Sequence, residues 1–466
     1  MADQWSIAGV DLYVDLDATR RRGAALTAAL RDAVRSGRLA PGTRLPASRT
    51  LAADLGIARG TVTEAYRQLA AEGYLVARQG AGTVVAPRGT PPARAGRPAR
   101  GHTRPPVRYD LRPGLPDLSA FPRRDWLAAT RTALGRMDHA ALGWGDPRGH
   151  PTLRTELAAY AGRVRGVQTE PGQVMVCAGF AHGLALLCAV LRDRGIDTLA
   201  VEDPYLPGYR RIAEAAGLRT VGVPVDADGI VVDALRDVRA VVVTPAHQFP
   251  MGVPLAPDRR MALLDWARAV DGLVIEDDYD GEFRYDRQPV GALQGLDPDR
   301  VVYAGTASKT LAPGLRLGWL ALPSDLVDPL TDRRDTTDRH TGILDQLTFA
   351  ELVATGAYDR HVRRSRARYR RRRDHLVAAL AALPHPPTVT GIAAGLHALV
   401  ALPPGYRESA VVAAGQRRSL GLTGLSTYRG DRVVRQPQLV LGYGTPPDHA
   451  YGPAVRELCA VLTSGG

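Results

Sequence analysis

The chain has 466 residues, 45% apolar and 23% charged, with a formal net charge of +12; this is a globular composition and a length for two or three domains. No uninterrupted apolar run approaches the roughly 18 residues a spanning helix requires, and the N-terminus is acidic rather than a basic stub before an apolar core, which argues against membrane insertion and secretion. Cys177, Cys188 and Cys459 are odd in number and scattered, so they read as reduced packing cysteines of a cytosolic protein, without zinc or thioredoxin-like spacing.

Residues 1–108 hold 17 arginines against 8 acidic residues, a net +9, so the basicity is concentrated at one end. Within that end, residues 20–36 place Leu26, Leu30 and Val34 at helical spacing before Gly37 and a turn around Pro41 and Gly42. RTLAADLGI predicts a short helix stopped by Gly56, and RGTVTEAYRQLAAEGY a second with Val62, Tyr66 and Leu69 inward. Two short helices on a tight turn make a helix-turn-helix. YLVARQGAGTVVA alternates and turns at Gly80 and Gly82, which predicts a two-stranded wing.

The stretch from Gly37 to Ala86 resembles the GntR family of winged-helix transcription regulators at several fixed points together. The resemblance implies that Arg49, Arg59, Thr61, Thr63, Gln79 and Gly80 contact a double-stranded DNA operator. Their chemistry suits that role: a helix N-terminus offers free amides to phosphate, a guanidinium fork reaches a guanine edge, and glycine lets a wing backbone approach the groove.

Residues 87–108 are proline, glycine and arginine without apolar periodicity, the composition of a linker that buries no core, and its five arginines from Arg88 to Arg104 read as solubilising. Beyond it, apolar strands alternate with helical stretches: VMVCAG and AHGLALLCAVLRD, TLAVED and GYRRIAEAAG, AVVVTP and DRRMALLDWARAV, then LVIEDD and RVVYAG. The pattern predicts an α/β fold with a mostly parallel sheet, followed after about residue 370 by a smaller α/β lobe. The expected organisation is therefore a winged helix-turn-helix over 1–86, a linker over 87–108, and an effector domain over 109–466 with its small lobe at about 370–466.

Of the 60 basic residues, 59 are arginine and one is lysine, Lys309. Arginine stays protonated and forms no imine, whereas lysine does. Lys309 lies in GTASKTLAPGLRLGW, after a strand, and about thirty residues upstream VIEDDYDGEFRY sets carboxylates and a tyrosine after another. Strand ends in open α/β sheets are ligand sites, and a pyridoxal phosphate (PLP) site needs a lysine, a carboxylate for the ring nitrogen and phosphate donors. The segment resembles the fold type I aminotransferases, and its union with a GntR head resembles the MocR-type regulators from about Tyr109 to the C-terminus.

That resemblance implies that Lys309 forms the imine with PLP, Asp277 pairs with the pyridinium nitrogen, Tyr279 bonds the ring oxygen and Arg316 holds the phosphate. Ser308, Thr306 and the helix start at Gly179, Phe180 and Ala181 would supply further phosphate donors, and Tyr205 the aromatic stacked on the ring. It also implies a homodimer. Two departures stand out. AHQFPMG puts Phe249 where many aminotransferases have an asparagine on the ring oxygen, leaving His247 or Gln248 as substitutes. PQLVLGYG puts Val440 where an arginine clamps the substrate carboxylate, leaving Arg435 or Arg429 to reach in from nearby.

Two further features complete the reading. HVRRSRARYRRRRD, residues 361–374, reads as the solvated face of a helix joining the lobes, with Tyr369 and Leu376 inward and DNA-backbone contact as the alternative. His397 in GLHALV reads as a structural strand residue. Without the clamp, PLP itself is the expected effector of a DNA-binding regulator, as in the PdxR-type regulators of vitamin B6 synthesis. The alternatives are a regulator that senses an amine or amino acid on the PLP-loaded protein, a working PLP-dependent aminotransferase, and a DNA-tethered module without cofactor.

Overall fold

The computed structural model describes residues 6–7, 10–11, 22–78, 82–87, 107–285, 290–431 and 435–464. They fall into two compact units, Met1–Arg104 and Pro105–Gly466. No helix among the described residues is long and apolar enough to cross a membrane. Residues 88–106 of the expected linker lie outside the described residues.

In the first unit, α1 (Arg22–Arg35), α2 (Ser48–Asp54) and α3 (Arg59–Ala71) are followed by strands Leu75–Arg78 and Gly82–Val85, paired antiparallel with Leu75 opposite Val85. An isolated antiparallel bridge from Arg44 to Val84 sets a third segment beside this wing. Leu26 and Leu30 from α1, Leu51 from α2, Val62, Tyr66 and Leu69 from α3, and Leu75 and Val85 from the wing make one core. The helical 3.6-residue and strand 2-residue repeats of apolar side chains converge on it. The Tyr66 hydroxyl donates to the Pro46 carbonyl at 2.9 Å, so the turn before α2 is pinned to α3. Arg31 and Glu72 form a two-pronged pair at 2.9 and 2.7 Å that ties α1 to the end of α3.

The second unit is built on an eight-stranded sheet. Its spatial order is Val174–Cys177, Gly318–Ala321, Val301–Thr306, Leu273–Asp277, Ala240–Val243, Thr198–Asp203, Arg219–Asp226 and Gly229–Ile230. Gly318–Ala321 runs antiparallel to both neighbours and Gly229–Ile230 antiparallel to its one neighbour; the other pairings are parallel. Successive residues feed opposite faces: Ile275 joins Leu184, Leu187, Val201 and Leu326 on one side, and Val274 joins Val241, Leu263 and Leu264 on the other. Burial of both faces explains the nearly continuous apolar runs VMVC and AVVV, which no amphipathic strand would show.

Helix Ala357–Ala381 carries the chain from this sheet to the small lobe. Its Tyr358 and Val362 pack with the large lobe, whereas Tyr369, Leu376 and Leu380 enter the small-lobe core. That lobe holds an antiparallel sheet in the order Thr388–Thr390, His397–Ala401, Gln438–Gly442, covered by helices Glu408–Arg417 and Asp448–Thr463. The small lobe also takes in a segment from the front of the unit, contrary to the expected start near residue 370. Tyr109–Asp110 pairs parallel with Leu420–Gly421, and Leu111 is buried in the small-lobe core. A two-residue strand is too short to show a period, so its partner is invisible in the sequence.

The arginine run is likewise only partly a solvated face. Arg372 is buried and reaches Asp117 at 2.9 Å and Asp448 at 2.6 Å, and it also donates to the carbonyls of Tyr443 and Gly444. One side chain thereby bridges two carboxylates from opposite ends of the unit.

Candidate functional site

The parallel strands end on one edge of the sheet, and the candidate residues sit there because each closely follows a strand. Asp277 is the last residue of Leu273–Asp277 and Thr306 the last of Val301–Thr306. Gly179 follows Val174–Cys177, Tyr205 follows Thr198–Asp203, and His247 follows Ala240–Val243. Arg316 precedes the antiparallel strand Gly318–Ala321, which starts at this edge.

Asp277 is fully enclosed. Its Oδ2 accepts the Tyr205 hydroxyl at 3.4 Å, while its Oδ1 has no hydrogen-bond partner among the described residues. Burial pushes this carboxyl well above the ordinary carboxylate range, and the charge of Lys309 pulls it down. A buried carboxylate oxygen without a donor is costly, so Oδ1 is open to an N–H that no described residue supplies. Lys309 is half-buried and its Nζ donates to the Gly114 carbonyl at 2.7 Å.

At the other end of the pocket, Gly179 caps helix Phe180–Asp193 with φ +86°, and Ala181 lies in its first turn. A Cβ on Gly179 would stand 3.4 Å from the guanidinium of Arg316, so the glycine keeps open the space between that cation and the helix amides. Arg316 is exposed, in a left-handed conformation at φ +54°. Thr306 and Ser308 share their hydroxyls at 3.0 Å, and the Ser308 amide donates to Thr306 Oγ1 at 3.1 Å. A guanidinium, two hydroxyls and a helix N-terminus are groups with the chemistry to take an anion.

Between the two ends, Tyr279 donates its hydroxyl to the His247 carbonyl at 3.0 Å and lies 3.1 Å from His247 Nδ1. That nitrogen also meets Asp280 Oδ2 at 2.9 Å. The His397 ring lies tilted 4.8 Å from the His247 ring and edge-on 4.9 Å from Phe249, and burial holds it well below the ordinary imidazole value, helped by the charge of His247. His397 is thus a wall of the pocket as well as a strand residue. Gln248 is turned elsewhere: its amide nitrogen donates to Glu202 at 3.0 Å and to the Pro204 and Phe249 carbonyls, and its oxygen accepts from the Met251 amide. Of the two substitutes for the absent asparagine, His247 alone faces Tyr279.

Where a carboxylate clamp is expected, Val440 joins Phe249, Leu399, Leu425 and Tyr428 in an apolar cluster that Tyr279 packs against. Arg435 is exposed and paired with Asp431 at 2.6 Å, and Arg429 is half-buried at the end of the short helix Leu425–Tyr428. Sequence reasoning also passed over Tyr209, whose ring lies 5.8 Å from Tyr205 and 5.0 Å from Phe180, and Asp280. The spacing in EDPYLPGY and DDYD was the available signal for both.

On the first unit, Arg49 is exposed in the first turn of α2, and Arg59 opens α3, exposed at its N-terminus. Thr63 is exposed with its hydroxyl donating to the Arg59 carbonyl at 3.0 Å. Thr61 is half-buried, its methyl facing Gly23 of α1. Gln79 and Gly80 lie outside the described residues.

Residues 23–85 match the family of bacterial regulatory proteins of the gntR type, and residues 117–410 match aminotransferase class I and II. The chain is similar to the HTH-type pyridoxine biosynthesis transcriptional regulator PdxR of Corynebacterium glutamicum, 35% identical over 94% of this chain and 96% of that protein. It is also similar to the probable rhizopine catabolism regulatory protein MocR of Rhizobium meliloti, 36% identical over 79% and 78% of the two chains. Among solved structures, the kynurenine aminotransferase of Pyrococcus horikoshii superposes with a TM-score of 0.69 at 24% identity, covering 78% of this chain and 92% of that one, a likeness of fold.

Proposed function

The chain belongs to the MocR-type branch of the GntR regulators, transcription factors with an aminotransferase-like effector domain, and from that membership we propose that its effector is PLP itself. The residues fit the group. The partnerless Oδ1 of Asp277 offers a counter-charge to a protonated ring nitrogen, Arg316 with Gly179, Thr306 and Ser308 offers a phosphate cradle, and Lys309 is the nucleophilic amine. When bound, PLP supplies an aldehyde that a lysine amine captures and a ring that withdraws electrons. Tyr205 and Tyr279 would orient the ring, with His247 positioning Tyr279.

The observation that carries the choice of effector is the apolar cluster around Val440. An amino acid's carboxylate brought against Phe249, Leu399 and Tyr428 without an arginine would cost several kcal/mol. PLP needs no such clamp. The C. glutamicum relative, named for pyridoxine biosynthesis, supports the same reading. The exposed Leu127, Leu134, Leu142 and Trp144, the last 80% exposed, support a homodimer that covers them. The protein would act in the cytoplasm on a double-stranded operator through Arg49, Arg59, Thr63 and the wing tip at Gln79 and Gly80, with Thr61 packed against Gly23 of α1 instead.

The test titrates PLP into the cofactor-free protein while recording its visible absorbance and its affinity for promoter DNA, then adds amino acids and γ-aminobutyrate to the loaded protein. A change in both signals with PLP alone is expected, and Lys309→Arg should remove the visible band. A joint, saturable response of the loaded protein to an amine or amino acid would replace PLP as the effector, and sustained amino-group transfer to a keto acid would make the domain an enzyme.

A further inference from the structure

We propose that the outer face of helix Ala357–Ala381 is a second nucleic-acid-binding surface, one that takes the phosphate backbone of double-stranded DNA without reading its sequence. The inference rests on the DNA-binding reading above.

The helix carries nine arginines, and the fold uses only part of them. Arg366 donates to the Glu282 carbonyl at 2.7 Å, Arg368 approaches Asp448 at 3.3 Å, and Arg372 bridges Asp117 and Asp448. Arg360, Arg363, Arg364, Arg370 and Arg371 remain exposed. At about 100° per residue these five fall within an arc of about 120°, and from Arg360 to Arg371 the row is about 16 Å long. One DNA strand presents a phosphate about every 3.4 Å of axis, so the row faces about five phosphates.

Little in the protein balances this face. Arg363, Arg370 and Arg371 form no ion pair among the described residues, although Arg371 is near enough to the exposed Asp448 to help lower its carboxyl, and the exposed Asp374 lies one turn beyond Arg370. Arg360 donates to the Thr355 carbonyl of the preceding turn, and Arg364 has only a 3.5 Å approach to the exposed Asp125. Asp359, the acid beside the row, is engaged by Arg163, so its charge is taken up by that pair. A helix stabilised for its own sake alternates acids with bases at i,i+4. Here Arg360 stands one turn from both Arg363 and Arg364, and Arg366 one turn from Arg370. Like charges on neighbouring turns destabilise a helix unless an anion covers them. Guanidinium forks are suited to phosphate oxygens. A duplex is the occupant favoured because the same chain carries a duplex reader.

The experiment uses the full-length protein and a 40-base-pair duplex of mixed sequence, with affinity measured by fluorescence anisotropy across a salt series. The triple variant Arg363→Gln, Arg370→Gln, Arg371→Gln should bind at least tenfold more weakly at low salt, and its slope of log affinity against log salt should be shallower by about three. A control that removes three exposed arginines elsewhere, Arg192→Gln, Arg219→Gln, Arg239→Gln, should leave the slope unchanged. An unchanged slope in the first triple, or an equal loss in the control, overturns the proposal. So does a change in the sedimenting mass of the first triple, which would make the face a contact between copies of the chain. The double variant Arg49→Ala, Arg59→Ala reports on the reader separately: if it binds like wild type while the helix triple does not, the reader fails and the helix surface stands.

Discussion

Asp280 Oδ2 and His247 Nδ1 lie 2.9 Å apart, both side chains enclosed, and the same nitrogen is 3.1 Å from the hydroxyl of Tyr279. The carboxylate therefore sets the proton on Nδ1, and Tyr279 is held beside the ring by donating its hydroxyl to the carbonyl of the same histidine. Asp280→Ala should cost about 1–3 kcal/mol in urea unfolding, the range for a buried polar group left without its partner. It should also weaken PLP binding, read by absorbance titration, more than Asp280→Asn, which keeps an acceptor in place. Equal PLP affinity in wild type and Asp280→Ala would show that the pair does not position Tyr279.

Gly395 makes room for that pair. Its φ is +69°, and a Cβ there would press on the carboxylate of Asp280 and the imidazole of His247. Gly405 has φ +89° with nothing within 4 Å, so it bears the backbone strain alone. Gly405→Ala should cost about 1 kcal/mol and leave PLP binding intact. Gly395→Ala should cost more and impair binding. Denaturant curves for both variants, with PLP titrations, check the comparison; identical losses would exclude the steric part.

The pH dependence of stability should carry the mark of Glu202. This carboxyl is fully buried, and burial pushes it up to about 7 against hydrogen bonds from Thr244 and Gln248 that pull it down. The native state therefore holds a proton that the unfolded chain, with an ordinary value near 4.5, has released. The stabilisation is complete below about 4.5 and is lost as pH rises to about 7, on the order of 3 kcal/mol in all. His150, His182, His361 and His397 are all lowered, mainly by burial, and pull the profile the other way below their ordinary value of 6.5. The readout is therefore the difference between Glu202→Gln and wild type: the variant should gain relative stability from pH 5 to pH 8, and a flat difference would contradict the assignment.

Arg372 should be among the most sensitive positions outside the pocket. Truncation to Ala leaves Asp117 enclosed without its cation and should cost about 3–5 kcal/mol. Replacing both groups, as Arg372→Met with Asp117→Asn, should recover part of the loss. Failure of Arg372→Ala to shift the urea midpoint would mean that water reaches the pair.

For the reader, Arg49→Ala and Arg59→Ala should each weaken promoter binding by about 1–3 kcal/mol. Thr61→Ala should act mainly on stability, because its methyl faces Gly23 rather than solvent. A loss of affinity at Thr61 comparable to that at Arg59 would contradict the packing.

Much of this was legible in the residues. The helices of the first unit announce themselves by spacing, the strands by their length and apolar runs, and Lys309 by being the only lysine. What escaped depends on tertiary crossings that leave no local period. Tyr109–Asp110 finds its partner over three hundred residues later at Leu420–Gly421. Asp280 meets His247 from one distant segment and Gly395 with His397 from another, and Arg372 is one buried member of a run with exposed Arg370 and Arg371 beside it. Periodicity tells which side of a helix turns inward; it does not tell which arginine on that side meets two carboxylates.

The opening segment of the larger unit has a mechanical consequence. Tyr109 and Asp110 lie as a strand beside Leu420 and Gly421, Arg112 closes back on Asp110 at 2.8 Å, and the Gly114 carbonyl holds Lys309 Nζ. Six residues of stiffened chain thus act as a tie rod between the lysine nitrogen and the outer strand of the small lobe. Whatever draws that nitrogen away from Gly114 slackens the rod at one end, while Tyr109 and Asp110 fasten it at the other. The lysine nitrogen and the small lobe are thereby joined by a path that bypasses the eight-stranded sheet altogether.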